Sequence, residues 1–242
     1  MLFTVQDNLD RILQAWLLLA GLACAARIAT APLTAGGANT GTVAPYILLV
    51  LAPFVSTLLA LRWFQDGDRL PQPSTRLAII GRWRSVEPAE ARRHSLYGTG
   101  GIMVSLLMGM LLNVAFRAME YLGAVPPVPA AAPQWLSVLH MAMSFDVVLF
   151  TSLYMIAFVA GLRKVPLFPR LLAAIWAADL AMQLGIARLM AGTDGLPVGV
   201  GSALHGLLEG NAKKVLISVA LWLPYLLLST RVNVTYRNRV PA

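Results

Sequence analysis

In 242 residues the chain carries 58% hydrophobic and only 12% charged side chains, with a formal net charge of +8. That charged share is about half that of an ordinary soluble domain. It is too small to coat a globule of this size, so lipid is the expected solvent for much of the chain. The positive charge does not point to nucleic acid, because the basic residues fall between apolar stretches instead of forming one stripe. The single cysteine, Cys24, excludes an internal disulfide and a cysteine-rich metal site.

The first charged residues are Asp7, Asp10 and Arg11, so the positive n-region of a signal peptide is missing. Gly21-Leu22-Ala23-Cys24 has the outline of a lipoprotein cleavage site, but Gly21 stands where leucine is usual and the apolar run continues past it. The segment reads as an uncleaved first span, about Ile12 to Ala31. A second span runs from about Val43 to Leu61, with Pro45 near its start and a kink expected at Pro53. The connection from Arg62 to Tyr97 carries seven arginines. Within it Thr75 to Arg84 suits a short helix in the headgroup layer anchored by Trp83. Ser85-Val86-Glu87-Pro88 has the form of a helix start, with a capping serine and a first-turn proline.

The third span is expected at about Gly98 to Phe116, followed by the stiff, proline-rich linker Val125 to Pro133. The fourth runs from Leu136 to Leu162. A tight turn, Arg163-Lys164-Val165-Pro166, leads to the fifth, about Phe168 to Met190. Gly192 to Gly206 reads as a flexible outer connection. The sixth has only 14 apolar residues, Val215 to Leu228. A bilayer needs about 20, so this helix is expected to begin near Ala203, with Lys213 and Lys214 snorkelling to the outer interface. Pro224 should bend it. Trp222 and Tyr225 should lie at the inner interface, with Arg231, Arg237 and Arg239 holding the tail against the leaflet. The chain thus divides into two N-terminal helices (1–61), a basic connection (62–97) and a four-helix module (98–242).

With six spans and both ends inside, the cytoplasmic segments hold 14 of the 19 basic residues, and the reverse topology would violate the positive-inside rule. The expected class is all-α: a polytopic transmembrane bundle of six helices, N-in and C-in.

From about Gly98 onward the chain resembles a family of small bacterial inner-membrane proteins, domain-of-unknown-function family 2569. The resemblance rests on Gly100-Gly101 and on Arg163-Lys164-Val165-Pro166-Leu167-Phe168-Pro169-Arg170. It is completed by a closing motif of Trp222, Pro224, Tyr225, Ser229, Arg231, Val232, Thr235 and Tyr236. It covers about 145 residues, lacks a tryptophan after the glycine pair, and leaves two additional helices in front. It implies a four-helix module in a bacterial inner membrane; the family has no established activity, so it implies nothing about catalysis.

Polar groups inside spans are costly and mark candidate sites. Asn113, Arg117 and Glu120 share one face of the third helix, where Arg117 and Glu120 can pair across a turn. On the fourth, His140, Ser144 and Thr151 form a stripe, with Asp146 a third of a turn away. On the fifth, Asp179 and Gln183 share a face and Arg188 lies opposite. Asp146 and Asp179 fall near mid-membrane; Arg117, Glu120, His140, Arg188, His205 and Glu209 gather toward the outer side.

Three readings compete for this set. It is a packing network in an accessory protein acting through partners, a protonatable Asp146–Asp179 pair in a small transporter or channel, or an enzyme on lipid-linked substrates with His140 or His205 as acid–base groups. The three histidines, including His94, are not spaced as metal or haem ligands, and no cofactor is expected. Phosphate-loop, serine-elbow and zinc-protease motifs are missing. Expected partners are the bilayer and a membrane protein or a second copy of the chain; no nucleic acid is expected.

Overall fold

The structure, a computed structural model, describes residues 8–31, 40–74, 81–129 and 132–242. Six helices are long and apolar enough to cross a membrane: α1 (Leu9–Ala29), α2 (Thr40–Trp63), α4 (Ile102–Ala124), α5 (Gln134–Leu162), α6 (Phe168–Ala191) and α7 (Val198–Leu228). The short helices α3 (Pro88–Arg93) and α8 (Thr230–Arg237) and a two-stranded ribbon of β1 (Trp83–Ser85) and β2 (Arg239–Pro241) complete the described elements. The chain is an all-α polytopic bundle, as composition requires.

Helix α5 is the hub. In its most apolar stretch 67% of the residues are buried, against 11–33% in the other five spans. It packs on α2, α4 and α6, while α7 leans chiefly on α6. The small residues Ala157, Ala160 and Gly161 near its end let Leu107, Phe168 and Tyr236 approach closely. Helix α1 joins through α2, where the Trp16 indole donates to the Val50 carbonyl at 2.9 Å.

Several helix ends differ from the sequence expectation. α4 starts at Ile102, not Gly98, because Gly98 (φ 106°) and Gly101 (φ 63°) take left-handed turns that bring the chain into the helix. It runs on to Ala124, so Arg117 and Glu120 lie within it. α7 begins at Val198, before Ala203, so part of the glycine-rich run is helical. At about 1.5 Å per residue this helix is some 46 Å long, well over a hydrocarbon core of about 30 Å. Pro224 lies inside it, and the helix continues to Leu228. Of the helix expected at Thr75 to Arg84, residues 75–80 lie outside the described residues. Trp83 and Arg84 are in β1, because their backbones pair with the C-terminal strand. The helix after Pro88 does form, with Glu87 and not Ser85 at its N-cap.

The largest correction concerns the tail. It does not lie along the leaflet; it folds back and plugs the end of the bundle that also carries the 62–97 connection and the 163–167 turn, called here the basic face. Val232, Val234 and Tyr236 are fully buried. The Tyr236 hydroxyl donates to the Gly161 carbonyl at 2.7 Å, and its ring packs on Phe168 at 5.1 Å between centroids. The Gly98 amide donates to Thr235 Oγ1 at 2.9 Å, while Arg231 donates to the Leu96 and Gly98 carbonyls. Beyond α8, β2 runs antiparallel to β1, with Arg84 opposite Val240. Gly67, in a single 3-10 turn after α2, is pressed so close to the α5–α6 turn that a Cβ there would sit 2.6 Å from the Arg163 carbonyl oxygen. The pieces of the family-like motif, distant in sequence, therefore meet on this face through hydrogen bonds and ring packing.

The plug predicts two graded effects on SDS-titrated unfolding followed by circular dichroism. Tyr236→Ala is expected to cost about 3–5 kcal/mol by opening a ring-sized cavity. Tyr236→Phe, which removes only the hydroxyl bonded to Gly161, is expected to cost about 1 kcal/mol.

Candidate functional site: an arginine held between two aspartates

Asp146 lies midway along α5 and Asp179 midway along α6. Both are buried, Asp179 completely. Two ionised carboxylates in this setting need donors, since an uncompensated buried charge costs several kcal/mol. The donor comes from α4. Arg117 starts about 10 Å from the Ala124 end of its helix, counting 1.5 Å per residue, and its guanidinium reaches both acids. Nη1 donates to Asp179 Oδ2 at 2.7 Å; Nη2 donates to Asp179 Oδ1 at 2.9 Å and to the two Asp146 oxygens at 3.0 and 3.1 Å. Gln183, one turn beyond Asp179, adds its amide to Asp146 Oδ1 at 3.1 Å and Asp179 Oδ1 at 3.3 Å. The Tyr154 hydroxyl donates to Asp179 Oδ2 at 3.2 Å. Every carboxylate oxygen thus has at least one donor. The guanidinium also lies over the Phe150 ring, 4.8 Å from its centroid, a cation–π contact.

The expected Arg117–Glu120 pair does not form. Glu120 pairs with Lys214 of α7, and Arg117 takes the two buried acids because a guanidinium can bridge two carboxylates with geometry a same-helix neighbour cannot match. Between α4 and α7 runs a lateral groove of about 410 Å³. Its wall carries Asn113, its floor Arg117 and Tyr154, and its ends the Glu120–Lys214 pair and Trp222. Asn211 of α7 touches the triad's edge through Gln183 Oε1, at 3.5 Å.

The other candidates lie apart. Arg188 is exposed near the end of α6. His140 is buried beside the Tyr46 and Tyr121 rings, and its Nε2 has no partner. Tyr121 bonds Ser144 at 2.6 Å, and Ser144 in turn donates to the His140 carbonyl, also at 2.6 Å. This second polar cluster adjoins a cavity of about 490 Å³ between α2 and α5. Thr151 satisfies itself on the Val147 carbonyl of its own helix. Tyr154, Tyr121, Asn211 and Lys214 were missed by sequence reasoning. For Lys214 the signal was available, a lysine interrupting the sixth apolar run opposite a lone glutamate. The tyrosines gave none, since an aromatic in a span reads as apolar packing. Among the described residues no group of three or more His, Cys, Asp or Glu gathers as a metal site.

Fold and site together define a six-helix integral membrane protein with an ionic triad across α4, α5 and α6. Comparison of the chain with protein-family models, with curated proteins and with solved structures gives no match.

Arg117→Gln, which leaves two buried carboxylates without their cation, is expected to destabilise by about 3–5 kcal/mol. Lys214→Gln, which opens a half-exposed pair, should change stability by less than about 1 kcal/mol. The same SDS titration checks both, and equal effects would show that the triad carries no special weight.

Proposed function

We propose that this chain is an accessory protein of a bacterial inner membrane, with both termini cytoplasmic, that works by engaging a membrane partner and not by turnover. The observation that carries the reading is the saturation of Asp146 and Asp179 by Arg117, Gln183 and Tyr154. A network in which every carboxylate oxygen has a donor fixes how helices pack. It leaves no carboxylate oxygen free to take a substrate. The surface offered to a partner is α7, with Leu216, Ile217 and Leu221 exposed next to the α4–α7 groove. The bacterial inner membrane follows from the resemblance to family 2569, and the orientation from the placement of 14 of the 19 basic residues.

A second reading, a small proton-coupled transporter or channel using Asp146 and Asp179, is favoured by the charge count. Two carboxyl groups share one guanidinium in mid-membrane, so one of them is the candidate to carry a moving proton. Reconstituted vesicles separate the two readings. Under the accessory reading Asp146→Asn and Asp179→Asn lower yield and stability, and neither wild type nor variant moves protons. Proton-dependent flux in wild type, lost in an Asp→Asn variant that still folds, would establish the transporter. Leu221→Cys is expected to crosslink α7 to a neighbouring membrane protein or second copy in native membranes. A chain that stays uncrosslinked there has no partner on that face.

A further inference from the structure

The arginines of this protein are satisfied in different ways, and several keep a buried nitrogen without a hydrogen-bond partner, Arg237 among them. Arg117 has two carboxylates, and Arg231 has two backbone carbonyls. Arg237, at the end of α8, is only 4% exposed. Its Nη1 donates to the Leu226 carbonyl at 2.8 Å and to Asn233 Oδ1 at 3.2 Å. Leu226 O is one of the last carbonyls of α7, so this bond works as a helix cap. Both acceptors are neutral. Nη2 is buried with no partner at all.

No described carboxylate offsets this charge. On the basic face Asp66 is paired with Arg69, Asp68 with Arg92 and Glu90 with Arg84. The groups that do act on Arg237 are cations, Arg170 of α6 and Arg239 of β2. Together with burial, the largest cause, they push its pKa down to about 10, which leaves it charged at neutral pH. Fold geometry explains the gathering: Phe168 packs on Tyr236, so the residues just beyond each come together. Arg170 and Arg239 are half-buried and form the open part of the cluster. Among the described residues the segments on this face hold 13 basic residues against five acids, so these acids fall well short of neutralising it.

A buried, incompletely bonded guanidinium with two cationic neighbours is costly unless an anion joins it. Guanidinium forks match tetrahedral oxyanions best, because two parallel N–H groups meet two oxygens. We propose that the basic face binds a phosphate-type oxyanion at Arg237, flanked by Arg170 and Arg239, and that this anion completes the C-terminal plug. Its source is either a phospholipid headgroup or free phosphate.

The test uses the purified full chain in phosphatidylcholine nanodiscs, in nanodiscs containing phosphatidylglycerol, and in detergent with and without inorganic phosphate. The wild type is expected to gain roughly 5 °C in Tm from phosphatidylglycerol or from phosphate, since a ligand that binds only the folded state stabilises it. A gain confined to nanodiscs identifies the headgroup; a gain in detergent identifies the free ion. Arg237→Gln should abolish the gain and Arg170→Gln should reduce it, while Arg93→Gln, an exposed arginine on the same face, should keep it. If Arg237→Gln does not fold, Arg170→Gln decides. A wild type with equal Tm in all conditions, a full gain in Arg170→Gln, or an equal loss in Arg93→Gln and Arg170→Gln would each overturn the site.

Discussion

A guanidinium placed between two carboxylates inside a bilayer constrains everything around it. None of the three charges can face hydrocarbon alone, so α4, α5 and α6 must stay close enough for Arg117 to touch Asp146 and Asp179 together. Apolar side chains pack in many relative rotations, since lipid tails are as apolar as leucine and give helices no strong preference for one another. The triad removes that freedom. Once α5 is locked to α4 and α6, its remaining faces are available to α2, and α7 is left to lean on α6. The lateral groove beside α7 follows from this order: the helix tied by no buried charge is also the one that stands off from α4, linked across the gap by Glu120 and Lys214.

The basic face solves a different problem. Helix ends leave backbone carbonyls and amides without partners, and α2, α5 and α7 end there while α4 and α6 begin there. The chain uses its own C-terminus to meet them. Tyr236 takes an amide-rich corner at Gly161, Arg231 and Thr235 hold the glycine turn before α4, and Arg237 caps α7. Arg231, Thr235 and Tyr236, three residues of the closing motif, are therefore residues whose side chains close helix ends. A motif built this way is conspicuous in sequence because its geometry is exacting, and it says more about how the module is sealed than about what the module does.

This explains what could be read from the sequence and what could not. The six spans were legible because hydropathy is a one-dimensional property: a run of about 20 apolar residues needs no partner to be recognised. Mid-membrane placement of Asp146 and Asp179 was legible for the same reason, by counting residues along each helix. The partner of Arg117 was not. Sequence displays neighbours on one helix, and Glu120 was the visible acid, whereas the true partners lie 29 and 62 positions away. The buried tail was hidden by its composition. Thr230-Arg231-Val232-Asn233-Val234-Thr235-Tyr236-Arg237 is too polar to read as core, and it is buried because Arg231, Thr235 and Tyr236 find backbone partners contributed by distant segments. The β1–β2 pairing, three residues a side, is too short to leave a pattern.

The contrast between the two charged sites gives the final step. Both put arginine where water is scarce, yet they are balanced differently. At mid-membrane the chain supplies two carboxyl groups to one guanidinium, with a donor on every carboxylate oxygen. At the basic face it supplies positive charge in excess and leaves a buried nitrogen of Arg237 unused. In a soluble protein the second arrangement would be a defect. In the proposed orientation, beside a leaflet that carries anionic headgroups, it would be the complement of its surroundings. The same excess on which that proposed orientation rests would then also supply the charge that seats the C-terminal plug, so insertion and folding would draw on one set of arginines.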